Sequence, residues 1–499
     1  MPKEIPGFYY DAAKNRYFPL RGPIPGSSSS SATRPRKQHI KRPTQAARRT
    51  SIKLLKSREL NGSQIAFGKK RCHFVEEYRK KHASQPTVWK YQETASMGDI
   101  ALDHMQVFVQ TSEGQTESDI LVTGSSNGCM SLFEVGKVGE HFNDSVKFIP
   151  ECVWPGDHIP AYGEAPSHLW KLFSLQFASR ISCIKFPGKH FPRPTGDASR
   201  FRDVLITTLG SGPVGGCVRT LNLKEPFDFS QPPATWQMVK DVVSLDCTIW
   251  TADCNPNPIQ AVIGTNRGAA VVDLERRAIS WVCRSSSDIL AQQLDQSGNV
   301  VLCGLRNGAI VTVDVRQKQE RCAATVVTQK VPFPPGHHHT SSEQLLKLKG
   351  NIYPSCTMYM PSSICCLISL QMHDQYFLAS SMDGSINLYD HRMIKRGPVQ
   401  SYEGHVNSHH ALQLEVDKSE SFLLGGGEDC KIRLWSLKSG EMLFEEKIPN
   451  EVPSTVCWQS TERFAKIKPD QYKSFVPELQ NGLGAWCGSR EGIYYMSWP

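Results

Sequence analysis

The chain has 499 residues, of which 39% are hydrophobic and 21% charged, a balance typical of a globular protein with a large core and some disorder. It contains no apolar run of about 18 residues, so we expect no contact with a membrane. No apolar stretch follows the N-terminal Met-Pro-Lys-Glu, so we expect no secretory signal peptide. The sixteen cysteines are scattered without Cys-x-x-Cys spacing, which favours reduced, buried thiols.

The net charge of +9 is concentrated near the N-terminus. Residues 12–58 hold thirteen Lys and Arg and no Asp or Glu, which leaves 44 bases against 48 acids elsewhere. The body of the protein is therefore mildly acidic, and the basicity belongs to an N-terminal arm.

Four segments are predicted in chain order. Residues 1–20 carry two short aromatic clusters and are predicted to form a hairpin that docks on another surface, because five aromatics cannot form a core alone. Residues 21–43, rich in Ser, Pro and bases, are predicted to be a disordered linker. Residues 44–84 are predicted to form a helix–loop–helix, with a second helix from Gln64 to about His82 whose apolar stripe packs on the domain edge or on a partner. Residues 85–499 form the main domain.

The main domain has a repeated β pattern. Short β-rich runs alternate with Gly, Asn, Asp and Ser turns, and five of them end alike, on an Asp or its substitute. These endings are Glu134, Asp273, Asp314, Asp390 and Ser436. The distance from Asp273 to Asp314 is 41 residues, the length of one four-stranded blade. The sequence therefore predicts an all-β fold, a seven-bladed WD-repeat β-propeller, closed by Ile493–Trp498 beside a strand from about residues 87–110.

One blade carries a long insertion, because Asp314 and Asp390 lie 76 residues apart. The insertion, within 329–356, contains three consecutive histidines, His337, His338 and His339. Adjacent histidines cannot all reach one ion without strain, so we interpret this run as a solvated loop and predict neither a metal nor a cofactor.

Signatures of catalysis are missing from the sequence. It has no phosphate-binding Gly-rich loop, no Gly-x-Ser-x-Gly elbow and no His-Glu-x-x-His. No group of carboxylates is predicted to face the central channel. We therefore predict no catalytic residues and a non-enzymatic protein.

His405 has a structural interpretation. It lies 30 residues before Trp435, the spacing of Gly-His…Trp-Asp repeats. We expect His405, Asp429 in the next tight turn, and Trp435 to form a buried, hydrogen-bonded group, which is stabilising only when every polar atom is satisfied.

Two blade endings share the pattern Asp-x-Arg, namely Asp314–Arg316 and Asp390–Arg392. Residues two apart in an extended chain project to the same side. Each guanidinium is therefore predicted either to present a planar fork to a partner's carboxylates and carbonyls, or to pair with a carboxylate of the neighbouring blade.

These boxes resemble the Trp-Asp-x-Arg signature of the WD-repeat factors associated with cullin-4 and damage-specific DNA-binding protein 1, with Val313 and Tyr389 in place of the Trp. Further stretches are similar to the fourth-numbered member of that family, of which the chain looks like a divergent homologue. They are Pro6–Asp11 with Arg16–Phe18, Ser287–Gln293, Tyr402–Asn407 and Asp429–Leu437. The resemblance implies a substrate receptor that docks on the adaptor of a cullin-4 RING ubiquitin ligase through both boxes and a helix–loop–helix. It does not identify the protein substrate.

The basic arm supports a second interpretation. Residues 34–58 carry ten bases, which could bind the phosphates of nucleic acid, making the protein a nuclear WD-repeat scaffold. The arm lacks interleaved aromatics for base stacking. A nuclear-import signal fits equally well, as does a solvated linker. We expect a nuclear protein that can also be cytoplasmic. The core of either signal would be Arg34, Arg36, Lys37, Lys41 and Arg42.

Overall fold

The computed structural model describes most of the chain from residue 70 onward. The described residues are 8–11, 16–19, 54, 58–59, 64–67 and 70–498, with gaps at 112–113, 137–145, 157–164, 188–200, 211–214, 225–226, 229–237, 255–259, 296, 317–325, 331–344, 351, 354–355 and 460–482. The chain divides into two units, Met1–Arg71 and Cys72–Pro499. No helix in the described part is long and apolar enough to cross a bilayer.

The first unit contains the predicted aromatic hairpin. Strand Phe8–Asp11 pairs antiparallel with Arg16–Pro19, with Tyr9 opposite Phe18 and Tyr10 opposite Tyr17. These strands pair as a hairpin, and the predicted docking of residues 1–20 on another surface stays a prediction.

The predicted second helix of the helix–loop–helix is wrong in its first half. Strands Gln64–Phe67 and Lys70–His73 lie there, and the helix runs only from Phe74 to Ala83. Ile65 and Phe67 alternate with period two, which is a β pattern, and this outweighed the approximate helical stripe. Most of residues 44–63 lie outside the described residues.

We call Phe74–Ala83 the pre-propeller helix. Glu76 and Lys80 are among the charged residues at its ends that complement the helix dipole.

Seven sheets, whose principal strands are antiparallel, form the predicted seven-bladed propeller, and the blades are numbered here in chain order. The four principal strands of each blade run from the channel outward. Blade 1 contains Ala101–Thr111, Gly114–Gly124, Cys129–Gly136 and His168–Gln176; blade 2 contains Ile181–Lys185, Phe201–Thr208, Cys217–Lys224 and Val239–Ser244; blade 3 contains Ile249–Cys254, Gln260–Thr265, Gly268–Asp273 and Ala278–Ser285. Blade 4 contains Ile289–Leu294, Val300–Leu305, Ala309–Asp314 and Met358–Tyr359; blade 5 contains Ile364–Ser369, Tyr376–Ser381, Ile386–Asp390 and Gln400–Tyr402; blade 6 contains Leu414–Val416, Phe422–Gly426, Lys431–Ser436 and Met442–Lys447; blade 7 contains Thr455–Trp458, Gly484–Ser489, Gly492–Ser497 and Thr87–Tyr91.

The ring closes as the sequence predicted. In blade 7 the last strand of the chain, Gly492–Ser497, pairs antiparallel with Thr87–Tyr91, so that Tyr495 lies opposite Trp89. Joining the two ends of the domain in one sheet removes the free edge and ties the first blade to the last.

Short additional strands widen three blades. Pro150–Trp154 extends blade 7 beyond Thr87–Tyr91, and Val146–Phe148 and Phe227–Asp228 extend blade 1. The long insertion after blade 4's third strand forms a hairpin of Val326–Lys330 and Leu345–Gly350, which adds to the outer edge of blade 3. The insertion is therefore partly a β element of the preceding blade, whereas the three consecutive histidines lie outside the described residues.

Apolar contacts between adjacent blades hold the ring together. Seven hydrophobic clusters are found among the described residues, one at each of the seven blade interfaces. Fourteen cysteines among the described residues are free, and several of them lie in these clusters. Because each sheet packs only on its neighbours, the side chains at the two open ends of the ring are left for binding.

The two open ends have different turns. The turns between the second and third strands lie on one end, which we call the upper face. The third strands run from these turns to the other end, which we call the lower face. Asp314 and Asp390 are the last residues of the third strands of blades 4 and 5, so both lie on the lower face of adjacent blades.

Candidate functional site

The Asp-x-Arg box of blade 4 is a closed, hydrogen-bonded pair. Arg316 donates from Nε to Asp314 Oδ1 (3.0 Å) and from Nη2 to Oδ2 (2.7 Å). The backbone N–H of Arg316 donates to Oδ1 (2.9 Å), and the hydroxyl of Tyr353 donates to Oδ2 (2.8 Å). The Asp314 side chain is 3% exposed, but that of Arg316 is 61% exposed. The carboxylate thus anchors a guanidinium that faces solvent.

The box of blade 5 repeats this geometry. Arg392 donates from Nε to Asp390 Oδ1 (3.0 Å) and from Nη2 to Oδ2 (2.8 Å), and its backbone N–H donates to Oδ1 (2.8 Å). Asp390 is 1% exposed and Arg392 is 64% exposed. The preceding residue, Tyr389, is buried and stacks on Phe377 at 5.5 Å between ring centroids. Tyr389 therefore packs the end of its strand against the core. In blade 4 the fully buried Val313 does the same.

Both carboxylates are held ionised by their arginines. The hydrogen bonds from Arg316 hold the pKa of Asp314 well below its usual value, and those from Arg392 lower the pKa of Asp390 to about 2. Each box is therefore a fixed ion pair throughout the physiological pH range.

Of the two sequence-based alternatives for the arginines, pairing with a neighbouring blade is wrong, and docking on a partner stays a prediction. Each guanidinium pairs with the Asp of its own box and not with a neighbouring blade. The Nε–Nη2 edge of each guanidinium contacts this Asp. A guanidinium has five N–H donors, so the two N–H groups of Nη1 and one of Nη2 point away from the pair. The exposed part of each arginine is thus a pre-oriented cation with further N–H donors.

The other blades differ at the corresponding position. In blade 3, Asp273 is followed by Glu275 in place of Arg, and Asp273 Oδ1 accepts hydrogen bonds from the backbone N–H groups of Glu275 and Arg276. In blade 6 the strand ends on Ser436, and Lys438 takes the arginine's place. Of the seven third strands, all described, those of blades 4 and 5 end in Asp-x-Arg.

The pre-propeller helix lies on the same face. Its last residue, Ala83, accepts a buried hydrogen bond from Trp498 Nε1 (2.7 Å), just past the lower end of blade 7's third strand. Two ion pairs join the helix to blade 6. Lys80 of the helix pairs with Glu441 (3.4 Å), and Glu76 of the helix pairs with Lys438 (3.4 Å). The helix therefore continues a lower-face surface that runs through blades 4, 5, 6 and 7. No sequence pattern predicted these two ion pairs or the contact of Tyr353, because their partners are distant in the chain.

The predicted group of His405, Asp429 and Trp435 is only partly formed. His405 Nε2 bonds the carbonyl of Gly426 (3.0 Å), and Trp435 Nε1 donates to the carbonyl of Glu403 (2.9 Å). Both rings are buried and lie edge-to-face at 6.3 Å.

Asp429 does not join this group. Its carboxylate accepts two hydrogen bonds from Arg433, whose side chain is 1% exposed and also bonds Glu445. The prediction for Asp429 was wrong because a guanidinium offers a bidentate, charge-assisted fork that an imidazole cannot match.

Carboxylates face the central channel, although the sequence analysis predicted no such group. Carboxylates of Asp103, Asp253 and Glu415 line a central cavity of about 850 Å³. Each accepts a backbone hydrogen bond from the next blade's innermost region: from Phe186 N (3.1 Å), Leu294 N (2.7 Å) and Trp458 N (2.7 Å), respectively. They join neighbouring blades and have a structural role.

The remaining candidate residues, Arg34, Arg36, Lys37, Lys41 and Arg42, lie outside the described residues. Their role in nuclear import or phosphate binding stays a prediction.

Fold and lower face together define the class: a WD-repeat β-propeller with two adjacent Asp-x-Arg boxes. A family profile described as the DDB1- and CUL4-associated factor 4 beta-propeller domain matches residues 343–460, which include the box of blade 5. The chain is 21% identical to DDB1- and CUL4-associated factor 4 of Bos taurus over 99% of this chain and 87% of that protein. It is 29% identical to the Homo sapiens protein of the same name over 34% of this chain and 28% of that protein. An uncharacterized WD repeat-containing protein of Caenorhabditis elegans is 24% identical over 42% of this chain and 34% of its own length.

The chain is thus similar to DDB1- and CUL4-associated factor 4 proteins, at 21% and 29% identity to the two named here.

Proposed function

We propose that this protein is a non-enzymatic substrate receptor of a cullin-4 RING ubiquitin ligase, and that its lower face docks on the DDB1 adaptor. The proposal is carried by one observation: two boxes on adjacent blades hold exposed arginines in the same geometry. The names of the relatives point to the same adaptor and cullin.

Each box suits protein recognition for an energetic reason. An arginine already fixed by its own aspartate loses little side-chain entropy when a partner binds. Its outward donors match carbonyl and carboxylate oxygens, and arginine is enriched among residues that dominate interfaces.

Two arginines alone cannot form a stable interface. A typical stable complex buries about 800 Å² on each partner. The pre-propeller helix supplies further surface beside the boxes, because it rests on blades 6 and 7 of the same face. We propose that the helix and the boxes bind the adaptor together.

The mechanism is proximity. With the lower face held by the adaptor, another surface captures a target and raises the effective concentration of its lysines near the ligase. No chemical step is assigned to the receptor.

Affinity purification of the full chain tests the proposal. The wild-type chain is expected to recover DDB1 and cullin-4, and Arg316→Ala with Arg392→Ala is expected to lose both. A matched control is Arg267→Ala with Arg306→Ala, since these arginines also pair with aspartates, Asp246 and Asp288, and are 46% and 54% exposed on the upper face.

The control variant should recover the adaptor normally. Equal recovery by the lower-face variant, at an unchanged unfolding temperature, would contradict the proposal. Deletion of residues 44–82 should reduce recovery at least as much as the double substitution, because it removes most of the pre-propeller helix.

A further inference from the structure

The upper face of blade 6 carries a group of metal-ligating side chains that no function above uses. His409 and His410 lie in the connection from blade 5 to blade 6, and Glu428 lies in the turn between the second and third strands of blade 6. Both histidines also line the mouth of the central cavity. Three ligand atoms, one from each residue, lie within 4.8 Å of one another.

The distances fit a single tetrahedral ion. His409 Nδ1 lies 3.3 Å and His410 Nδ1 lies 3.6 Å from the same oxygen, Glu428 Oε1. Zinc bonds of about 2.0–2.2 Å to nitrogen and oxygen place neighbouring ligands about 3.4 Å apart in a tetrahedron. Two of the three distances between ligand atoms are therefore already close to the value in a tetrahedral zinc site.

One ligand atom has no other role among the described contacts. His410 Nδ1 is shielded from solvent and has no hydrogen-bond partner. A buried polar atom without a partner costs free energy, so its position beside a carboxylate and a second imidazole needs an explanation. A bound cation would satisfy it.

The carboxylate also has a hydroxyl partner. Ser408 Oγ lies 2.9 Å and 2.7 Å from the two oxygens of Glu428, and it contacts His409 Nδ1 at 2.7 Å. Side chains that hydrogen-bond the ligands are a regular feature of metal sites. On binding, His409 would exchange the serine contact for the metal.

We propose that His409, His410 and Glu428 bind one zinc ion at the upper mouth of the channel. Two imidazoles and one carboxylate favour zinc over magnesium or calcium. Three protein ligands leave the fourth position to water or to a ligand of a molecule bound on the upper face. The site is distinct from the lower-face boxes, and its test does not depend on the adaptor.

Calorimetric titration of the full-length protein with Zn²⁺ tests the site. His337, His338 and His339 are replaced by Gln in every protein compared, because this run offers competing ligands. The parent is expected to bind one equivalent of zinc with a rise in unfolding temperature. His410→Gln and Glu428→Gln are each expected to weaken zinc binding at least about tenfold.

Two further variants keep the result interpretable. His409 is 71% exposed, so His409→Gln should fold normally and still lose zinc affinity. His373→Gln is the control, because His373 pairs with a single carboxylate, Glu420, at 2.8 Å. Unchanged affinity and stoichiometry in the three site variants, or no zinc binding by the parent, would overturn the proposal.

Discussion

Asp429–Arg433 in blade 6 and the Asp-x-Arg boxes of blades 4 and 5 use the same ion pair in opposite surroundings. The guanidinium of Arg433 is 1% exposed and bridges Asp429 and Glu445. The side chains of Arg316 and Arg392 are 61% and 64% exposed, and their guanidinium groups contact the Asp of their own box. The same kind of ion pair is thus buried in blade 6 and exposed to solvent in blades 4 and 5.

This difference in exposure predicts that the buried pair stabilises the fold and that the exposed pairs serve binding. A buried pair is strongly destabilising to break, because the remaining charge loses its partner, whereas an exposed pair contributes little to folding. An exposed pair instead fixes the direction of a cation. We therefore expect substitutions in blade 6 to affect unfolding and substitutions in blades 4 and 5 to affect binding.

The largest effect on folding is expected from Arg433→Met. The substitution leaves Asp429 and Glu445 without their common partner, and we expect a loss of about 3 kcal/mol in the free energy of unfolding. Both carboxylates are partly exposed, which keeps the loss near the lower end of the range for buried pairs. Urea denaturation of Arg433→Met and of the matched Arg316→Met measures it. A comparable loss of unfolding free energy in both variants would contradict the distinction between buried and exposed ion pairs.

A smaller effect, confined to binding, is expected from Asp314→Asn and Asp390→Asn. An amide cannot give the two charge-assisted acceptor bonds that fix each arginine, so the arginine becomes less ordered while its charge remains. Adaptor affinity measured by biolayer interferometry should fall between those of the wild type and the double arginine variant. Full affinity would show that the carboxylates do not orient the arginines for binding.

The smallest effect is a difference in pH dependence between the two faces. Burial lowers the pKa of His405 below its usual value, so its contribution to stability is full above about pH 6.5 and declines as pH falls further. The pKa of Asp390 is about 2, so the stability that its ionisation contributes is present above about pH 4 and is lost only as pH approaches 2.

Between pH 7.5 and 5.5 the unfolding temperature should therefore fall, and His405→Gln should reduce that slope. Asp390→Asn should leave the slope unchanged. An identical slope in the wild type and His405→Gln would contradict the effect assigned to His405.

Much of the fold could be predicted because propeller blades repeat. The 41-residue spacing of Asp273 and Asp314 predicted the blade length, and the β-rich C-terminus predicted the closing strand. Local patterns also predicted Asp314 and Asp390 at strand ends.

What the sequence did not show depends on contacts between distant residues. Asp429 binds Arg433 because a guanidinium competes better than His405 for its carboxylate. Tyr353 reaches Asp314 from the end of an insertion, and Leu345–Gly350 joins blade 3 after the chain has already entered blade 4. No local spacing encodes such partners.

The most direct test is the affinity of purified DDB1 for the full-length chain and its arginine variants. Arg316→Ala and Arg392→Ala are each expected to raise Kd roughly tenfold, and the double variant further, while Arg267→Ala with Arg306→Ala leaves it unchanged. A Kd of the folded double lower-face variant equal to that of the wild type would contradict the central claim that these two arginines form the docking site.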